Sequence, residues 1–192
     1  MQRKIILASN SPRRIEILKK IINDFEVVPS KYEEDNTLKV SPSELVLHHS
    51  LSKGKNVANS IDNGVVISAD TIVFHNKILG KPKNPEQAKE MLKTISGQTI
   101  EVFTGLAVID VDNNKQYQDY EMTRVKMKEM NAKEIESYVK TGEPLDKAGA
   151  FGIQEKGSLL VEKIDGCYYN VMGLPIYKLS KLLEKAGIYL LN

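Results

Sequence analysis

The chain has 192 residues, 41% of them hydrophobic and 27% charged, so it is long enough for one large domain or two tight lobes with a substantial core. A net charge of +2 predicts no general attraction to nucleic acid or to a membrane surface, so any basic chemistry must be local. One cysteine and no membrane-spanning apolar run predict a reducing, cytoplasmic location, and the N-terminus reads as a strand rather than a signal peptide.

The N-terminal segment predicts a strand followed directly by a helix. Residues 5–7 form an apolar run, Ser11 is a suitable N-cap, and Pro12 suits the first helical position, where its missing N–H is no loss. Arg13 and Arg14 then lie beside the free N–H groups and the positive dipole end of this helix, an arrangement that binds anions. The alternative is a pair of solvated arginines in a first turn, and this segment alone does not decide between them.

The next part of the chain alternates strand and helix patterns. The apolar spacing predicts a short strand at 25–29, a helix at 43–58, strand on both sides of Asp70 with a turn near Asn76, and a helix from Pro85 that ends before Gly97. The loop at 30–42 between the first two of these elements is polar.

The last part predicts two long strands, a helix, a hairpin and a final helix. The strands cover 99–111 and about 116–128, Asn131 and Glu134 form a capping box for the helix that Gly142 ends, the hairpin covers 157–175, and Pro175 opens the final helix. Because hairpins interrupt the alternation of strand and helix, we expect an α/β fold with a mixed sheet rather than a doubly wound parallel one.

Asp70 is the most unusual residue because it interrupts the apolar run VVISADTIVF. A carboxylate inside a central strand is disfavoured by strand propensity and by desolvation. A functional interpretation makes Asp70 a metal ligand or a general base at the lip of a cleft. The structural alternative is a carboxylate at the end of a strand that accepts hydrogen bonds from the backbone or from Thr71.

Other polar residues are ambiguous when taken singly. Lys53 and Lys81 read as solvated lysines unless their segments face Asp70, and the acidic loop around Glu34 reads as solvated unless it contributes to a cation site. The glycine-rich segment at 146–157 allows close backbone approach to a ligand, and its Gln154 offers both a donor and an acceptor. The three histidines give no zinc or catalytic-triad pattern, and we expect the adjacent pair His48–His49 to point apart on a helix.

Four motifs in this order, SNSPRR, SADTIV, GKP and DKAGAFGIQEKG, resemble the Maf family of nucleoside triphosphate pyrophosphatases. The likeness extends from Ile5 to the last helix, and only Asn10 departs from the usual first motif. It implies a single domain over residues 1–192: an elongated α/β unit with a twisted mixed sheet flanked by helices and a deep cleft, similar to inosine-triphosphate pyrophosphatases. It also implies hydrolysis of a nucleoside triphosphate to the monophosphate and pyrophosphate, with Mg²⁺ or Mn²⁺ as the divalent cation.

The resemblance also implies roles for the residues that match the family motifs. Phosphate oxygens would be bound by Ser9, Arg14, Lys53 and Lys81. Asp70 would accept a proton from the attacking water or hold the cation, with Glu34 as a second metal ligand. Arg13, Thr71 and Gln154 would select the base. These three match the branch that acts on dTTP and UTP, whereas the branch that acts on 7-methyl-GTP has tryptophan, glutamine and a different third motif there.

Two alternatives to this function remain open. The protein could be a housekeeping hydrolase for modified nucleotides, or a cell-division regulator or nucleic-acid-binding protein without hydrolase activity. The near-neutral charge and the absence of a basic stripe argue against nucleic acid as a partner. We therefore expect a small nucleotide as the partner and no membrane association; a homodimer is consistent with the resemblance, because the family is often dimeric.

Overall fold

The computed structural model describes residues 3–35 and 37–191, so Asn36 in the predicted polar loop lies outside the described residues, as do the chain ends. The strands are β1 (Ile5–Leu7), β2 (Glu26–Val27), β3 (Val65–His75), β4 (Lys77–Leu79), β5 (Thr99–Asp110), β6 (Lys115–Met127) and β7 (Val161–Asp165). The α-helices are α1 (Pro12–Lys19), α2 (Pro42–Ala58), α3 (Pro85–Ile95), α4 (Ala132–Val139), α5 (Tyr168–Val171) and α6 (Ile176–Lys185). Short 3₁₀ segments cover Glu143–Asp146, Ala148–Ala150 and Glu155–Leu160. Within the described ranges, no helix combines the length and apolar character that a membrane crossing requires.

The seven strands form one mixed sheet in the order β2-β1-β3-β5-β6-β7, with β4 paired to β3 outside this path. Strand β1 lies parallel to both β2 and β3, whereas β4 is antiparallel to β3 and β7 is antiparallel to β6. The predicted α/β fold with a mixed sheet flanked by helices is therefore confirmed.

The chain divides into two compact units, each with a core of its own. The first unit comprises Met1–Asp70, Thr104–Glu121 and Gly173–Asn192, and the second comprises Thr71–Phe103 and Met122–Met172. A buried apolar cluster of the first unit consists of Ile6, Ala8, Val57, Val66 and Ile109. The cluster of the second unit is larger and includes Leu92, Ile100, Val125, Met127 and Phe151. The single domain predicted for residues 1–192 stays a prediction.

Side-chain caps set the beginnings of three helices. The Ser41 hydroxyl oxygen accepts a hydrogen bond from the Glu44 amide, and the Glu44 carboxylate accepts one from the Ser41 amide, so α2 begins one residue earlier than predicted. The capping box predicted for α4 at Asn131 and Glu134 is confirmed by the same pair of hydrogen bonds. Asn84 caps α3 through its side-chain oxygen.

The hairpin predicted for residues 157–175 is wrong. Its first half contains β7, which pairs with β6 instead of with the segment that follows it. Its second half contains helix α5, held through side chains: the Thr123 hydroxyl accepts from the Cys167 amide at 3.0 Å, and the Asn170 amide donates to the Val102 carbonyl at 2.9 Å. Tertiary hydrogen bonds therefore override the strand propensity of this segment.

Candidate active site

Asp70 lies in β3, and its side chain is only 4% exposed. Its Oδ1 accepts a hydrogen bond from the Lys53 ammonium at 2.6 Å. Its Oδ2 is buried and has no hydrogen-bond partner among the residues that the structure describes. A buried carboxylate oxygen without a partner is unfavourable, and such an atom commonly marks a place for water, a metal ion or a substrate. This geometry favours the functional interpretation of Asp70 over the structural one.

Lys53 connects Asp70 to the acidic loop. From helix α2 its Nζ lies 2.5 Å from Glu34 Oε1 and 2.6 Å from Asp70 Oδ1, and its side chain is 13% exposed. Lys53 is therefore not the solvated helical lysine of the alternative interpretation, whereas Lys55 two residues later is exposed. Partial burial raises the pKa of Glu34, but the charge and the hydrogen bond of Lys53 outweigh this effect and hold that pKa below its ordinary value.

Arg14 is fixed near the same carboxylates by hydrogen bonds to the backbone. Its Nε donates to the Gly173 carbonyl and its Nη1 donates to the Ala69 carbonyl, both at 2.8 Å. Desolvation lowers the pKa of Arg14, and the charges of Asp70 and Glu34 act in the opposite direction. A guanidinium stays protonated at neutral pH in such surroundings. The site thus contains two fixed cations and two carboxylates, all carried by the first unit.

The start of α1 has features that suit an anion, although its role stays a prediction. Ser9 is buried and its hydroxyl oxygen accepts from the Ser11 amide at 3.1 Å, which shapes the loop before the helix. Ser11 makes no capping hydrogen bond through its side chain. Arg13 in the first turn is half-buried. Phosphate oxygens bind well to uncapped helical N–H groups beside a guanidinium.

His49 is a residue of this neighbourhood that sequence reasoning dismissed. It is fully buried, its Nδ1 lies 3.0 Å from the Tyr32 hydroxyl, and its Nε2 has no partner in the described part of the chain. Burial lowers the pKa of His49, while the charges of Asp70 and Glu34 oppose that shift. His48 is exposed whereas His49 is buried, as expected for side chains that point apart, and both rings nevertheless lie near Tyr32, with 5.6 Å between their centroids. The sequence contains one indication of this position: His49 precedes Lys53 by one helical turn, so the two side chains lie on the same face of the helix.

The remaining predicted site residues belong to the second unit. Thr71 follows Asp70 in β3, Lys81 is exposed in the loop between β4 and α3, and Gln154 is half-buried. The Gly149 amide donates to the Gly80 carbonyl at 3.1 Å, so the loop with Lys81 contacts the glycine-rich segment. The participation of Thr71, Lys81 and Gln154 in substrate binding stays a prediction.

The donor set for a metal ion is small. Within residues 3–35 and 37–191, no group of three or more histidine, cysteine, aspartate and glutamate side chains is arranged to hold a metal. Glu34 and Asp70 supply two carboxylates, and Asp70 Oδ2 is a buried oxygen without a partner. Mg²⁺ is usually bound by one or two carboxylates together with substrate phosphates and water, so the residues present fit such an ion.

Comparison with known proteins supports the family resemblance of the four sequence motifs. A family model described as Maf-like protein matches residues 4–186. A protein of Methanococcoides burtonii named dTTP/UTP pyrophosphatase is 52% identical over 188 residues, covering 97% of this chain and 96% of that protein. One of Acetivibrio thermocellus with the same name is 48% identical over 196 residues and 98% of each chain.

The solved structure of the Staphylococcus aureus Ham1 protein matches with a TM-score of 0.44 and 13% identity, over 65% of this chain and 72% of that one. The family assignment rests instead on the model match and on the near-full-length relatives. The chain therefore belongs to the Maf family.

Proposed function

We propose that this protein hydrolyses dTTP and UTP to the monophosphate and pyrophosphate, with a divalent cation. The observation that carries the proposal is the buried Asp70 carboxylate, which has one oxygen on Lys53 and the other without a partner, beside a fixed Arg14. The name of these relatives, dTTP/UTP pyrophosphatase, supports the reaction and the substrates.

The chemistry needs little covalent participation from the protein. A water oxygen forms a bond to the α-phosphorus, the α–β phosphoanhydride bond breaks, and pyrophosphate leaves. The water proton passes to the Asp70 carboxylate where Asp70 is the base, or to solvent where Asp70 holds the cation instead. The charge that develops on the phosphoryl oxygens is stabilised by fixed cations, for which Lys53 and Arg14 are positioned. Lys53 also holds Asp70 Oδ1, which fixes the orientation of the carboxylate.

Glu34 and Asp70 are the residues that would hold the cation. A bound Mg²⁺ or Mn²⁺ would supply Lewis-acid stabilisation to the phosphate oxygens. Because Lys53 lies on both carboxylates in this structure, the ammonium already neutralises part of their combined charge. We expect Lys53 to exchange one carboxylate partner for a phosphate oxygen when the nucleotide binds.

Selection of the base is assigned to Arg13, Thr71 and Gln154. An amide that pairs with a buried base edge typically contributes roughly 1–3 kcal/mol of discrimination. Gln154→Ala should therefore reduce the preference for UTP over other triphosphates by that amount. Equal activity of the parent protein on GTP and UTP would show that these residues do not set specificity.

The deciding experiment is product analysis with a panel of canonical and modified triphosphates and either Mg²⁺ or Mn²⁺. We expect monophosphate and pyrophosphate from dTTP and UTP, and loss of both products with Asp70→Asn. Asp62→Asn is the matched control, because Asp62 is an exposed carboxylate just before β3. Formation of a diphosphate and orthophosphate would place the attack at the γ-phosphorus and refute the proposal. A preference for modified nucleotides would favour a housekeeping role.

The proposal also covers the location of the protein, its assembly and its lack of nucleic-acid binding. We expect a cytoplasmic protein, with a homodimer detectable by light scattering. Filter binding with a salt titration tests the regulator alternative, because a protein that binds a nucleic-acid backbone must lose affinity steeply with salt. A steep slope together with no pyrophosphate release would favour that alternative.

A further inference from the structure

Tyr138 and Glu143 form a hydrogen-bonded pair in the second unit. Tyr138 lies in the last turn of helix α4 and is 5% exposed, and Glu143 begins the 3₁₀ segment Glu143–Asp146. The Tyr138 hydroxyl donates to Glu143 Oε1 at 3.0 Å. Burial raises the pKa of Tyr138, so its hydroxyl stays protonated and remains a donor.

Both side chains also bind the backbone of the glycine-rich segment. The Tyr138 hydroxyl accepts from the Gly152 amide at 3.2 Å, and Glu143 Oε1 accepts from the Gly157 amide at 3.1 Å. The pair therefore holds residues 152 and 157, the two ends of a six-residue stretch, called here the 152–157 loop, whose second half belongs to the 3₁₀ segment Glu155–Leu160. The ends also contact each other, because a Cβ at residue 157 would overlap the Gly152 carbonyl oxygen and would approach the Tyr138 hydroxyl at 2.6 Å.

Gln154 lies inside this closed loop. The next residue, Glu155, has a left-handed backbone with φ of 54°, a conformation that non-glycine residues seldom adopt without support from their surroundings. Support comes from the two ends of the loop, where the Gly152 and Gly157 amides donate hydrogen bonds to Tyr138 and Glu143 and so fix the backbone.

We propose that Tyr138 and Glu143 are specificity-determining positioning residues, which hold the loop at 152–157 so that Gln154 meets the nucleotide base in one geometry. An amide group presents a donor on one side and an acceptor on the other, so it distinguishes uracil from cytosine only when its position is fixed. A loosened loop lets the same amide satisfy either base. The inference rests on the proposed function, because it takes Gln154 as the residue that contacts the base.

The test compares kcat/KM for UTP and CTP in the parent protein and in Tyr138→Phe, which removes one hydroxyl and keeps the ring. We expect the UTP-to-CTP ratio to fall by ~10-fold, which corresponds to about 1.4 kcal/mol. The change should appear mainly in KM, because Asp70 and Lys53 are untouched. Glu143→Ala should act in the same direction, and Glu143→Gln should restore much of the ratio because its amide oxygen can still accept from Gly157.

The matched control is Tyr168→Phe, because Tyr168 is an exposed tyrosine of the same unit. It should leave the ratio unchanged. Suppose that the parent protein prefers UTP over CTP and that Tyr138→Phe melts at the same temperature as the parent. A UTP-to-CTP ratio for Tyr138→Phe within twofold of the parent ratio would then refute the inference while leaving the proposed function intact. A parent protein that releases no pyrophosphate from any triphosphate would refute the proposed function and this inference with it.

A second measurement needs no catalysis. Amide hydrogen exchange, resolved by residue in the protein without nucleotide, should become ~5- to 10-fold faster at Gly152 in Tyr138→Phe and at Gly157 in Glu143→Ala, as expected for the loss of one hydrogen bond. Unchanged exchange at both glycines would show that the pair does not hold the loop, whatever the outcome of the kinetic comparison.

Discussion

The substitution Asp70→Asn tests catalysis and stability at a single position. Asparagine keeps the volume and an oxygen that can accept from Lys53, but it loses the charge and the capacity to accept a proton. Hydrolysis of UTP should fall by at least ~100-fold, the lower limit for a positioned acid–base group, which equals about 2.7 kcal/mol of transition-state stabilisation.

The expected effect on stability follows from two opposing contributions. The charged hydrogen bond from Lys53 to Asp70 at 2.6 Å contributes roughly 1.5–3 kcal/mol and is weakened by the substitution. Against this, the parent buries a charged carboxylate whose second oxygen has no partner in the described residues, and the neutral amide of asparagine costs less to bury there. Because Lys53 also keeps Glu34 at 2.5 Å, the free energy of unfolding should change by no more than about 1 kcal/mol.

Both quantities can be measured on one preparation: pyrophosphate release, and thermal melting followed by circular dichroism without metal. A variant that melts several degrees lower but retains full activity would refute the catalytic assignment and make Asp70 a structural carboxylate. Asp62→Asn should be unchanged in both assays, because its side chain is exposed.

Three further substitutions test other parts of the structure. Lys53→Met leaves two carboxylates without their shared cation and should lower activity at least ~100-fold and the melting temperature; an effect no larger than that of exposed Lys55→Met would contradict this. Burial raises the pKa of Asp110, but hydrogen bonds from Arg3 outweigh it and hold that pKa below its ordinary 3.8. The stability lost in Asp110→Asn, roughly 1–3 kcal/mol, should thus be present at pH 7 and vanish as the pH falls below 3.8; a pH-independent difference would refute this. Glu155→Gly should raise the free energy of unfolding by about 0.5–1 kcal/mol, because glycine adopts its φ of 54° without strain, and a lower melting temperature would contradict it.

The elements that were predicted correctly are those whose signals are local. Capping residues such as Asn84 and Asn131 mark helix starts because their side chains bond the backbone three residues later. The hairpin prediction for 157–175 failed because the partners of this segment, β6 and Thr123, are distant in sequence. A local pattern of residues does not specify which distant strand a segment pairs with.

The same distinction applies to the site. Asp70 was identifiable because a carboxylate in an apolar strand is an exception to a local rule. That Lys53 contacts both Asp70 and Glu34 depends on how α2 and the acidic loop approach β3, which no spacing encodes. Tyr138 and Glu143 could not be identified from the sequence for another reason. A tyrosine at helical spacing is typical of the apolar core, and only the hydrogen bonds of its hydroxyl in the structure distinguish Tyr138 from a core residue.

Arg3 binds residues that are synthesised long after it. Its guanidinium binds Asp110, 107 residues later, and donates to the Ala186 carbonyl, 183 residues later. Every segment of the second unit leaves the ribosome before Gly173–Asn192, which completes the first unit and contains the buried face of α6. The second unit can therefore close its core during translation, while the first still exposes the apolar surface that α6 covers. We expect the first unit to fold last and to be the part of the nascent chain that chaperones protect.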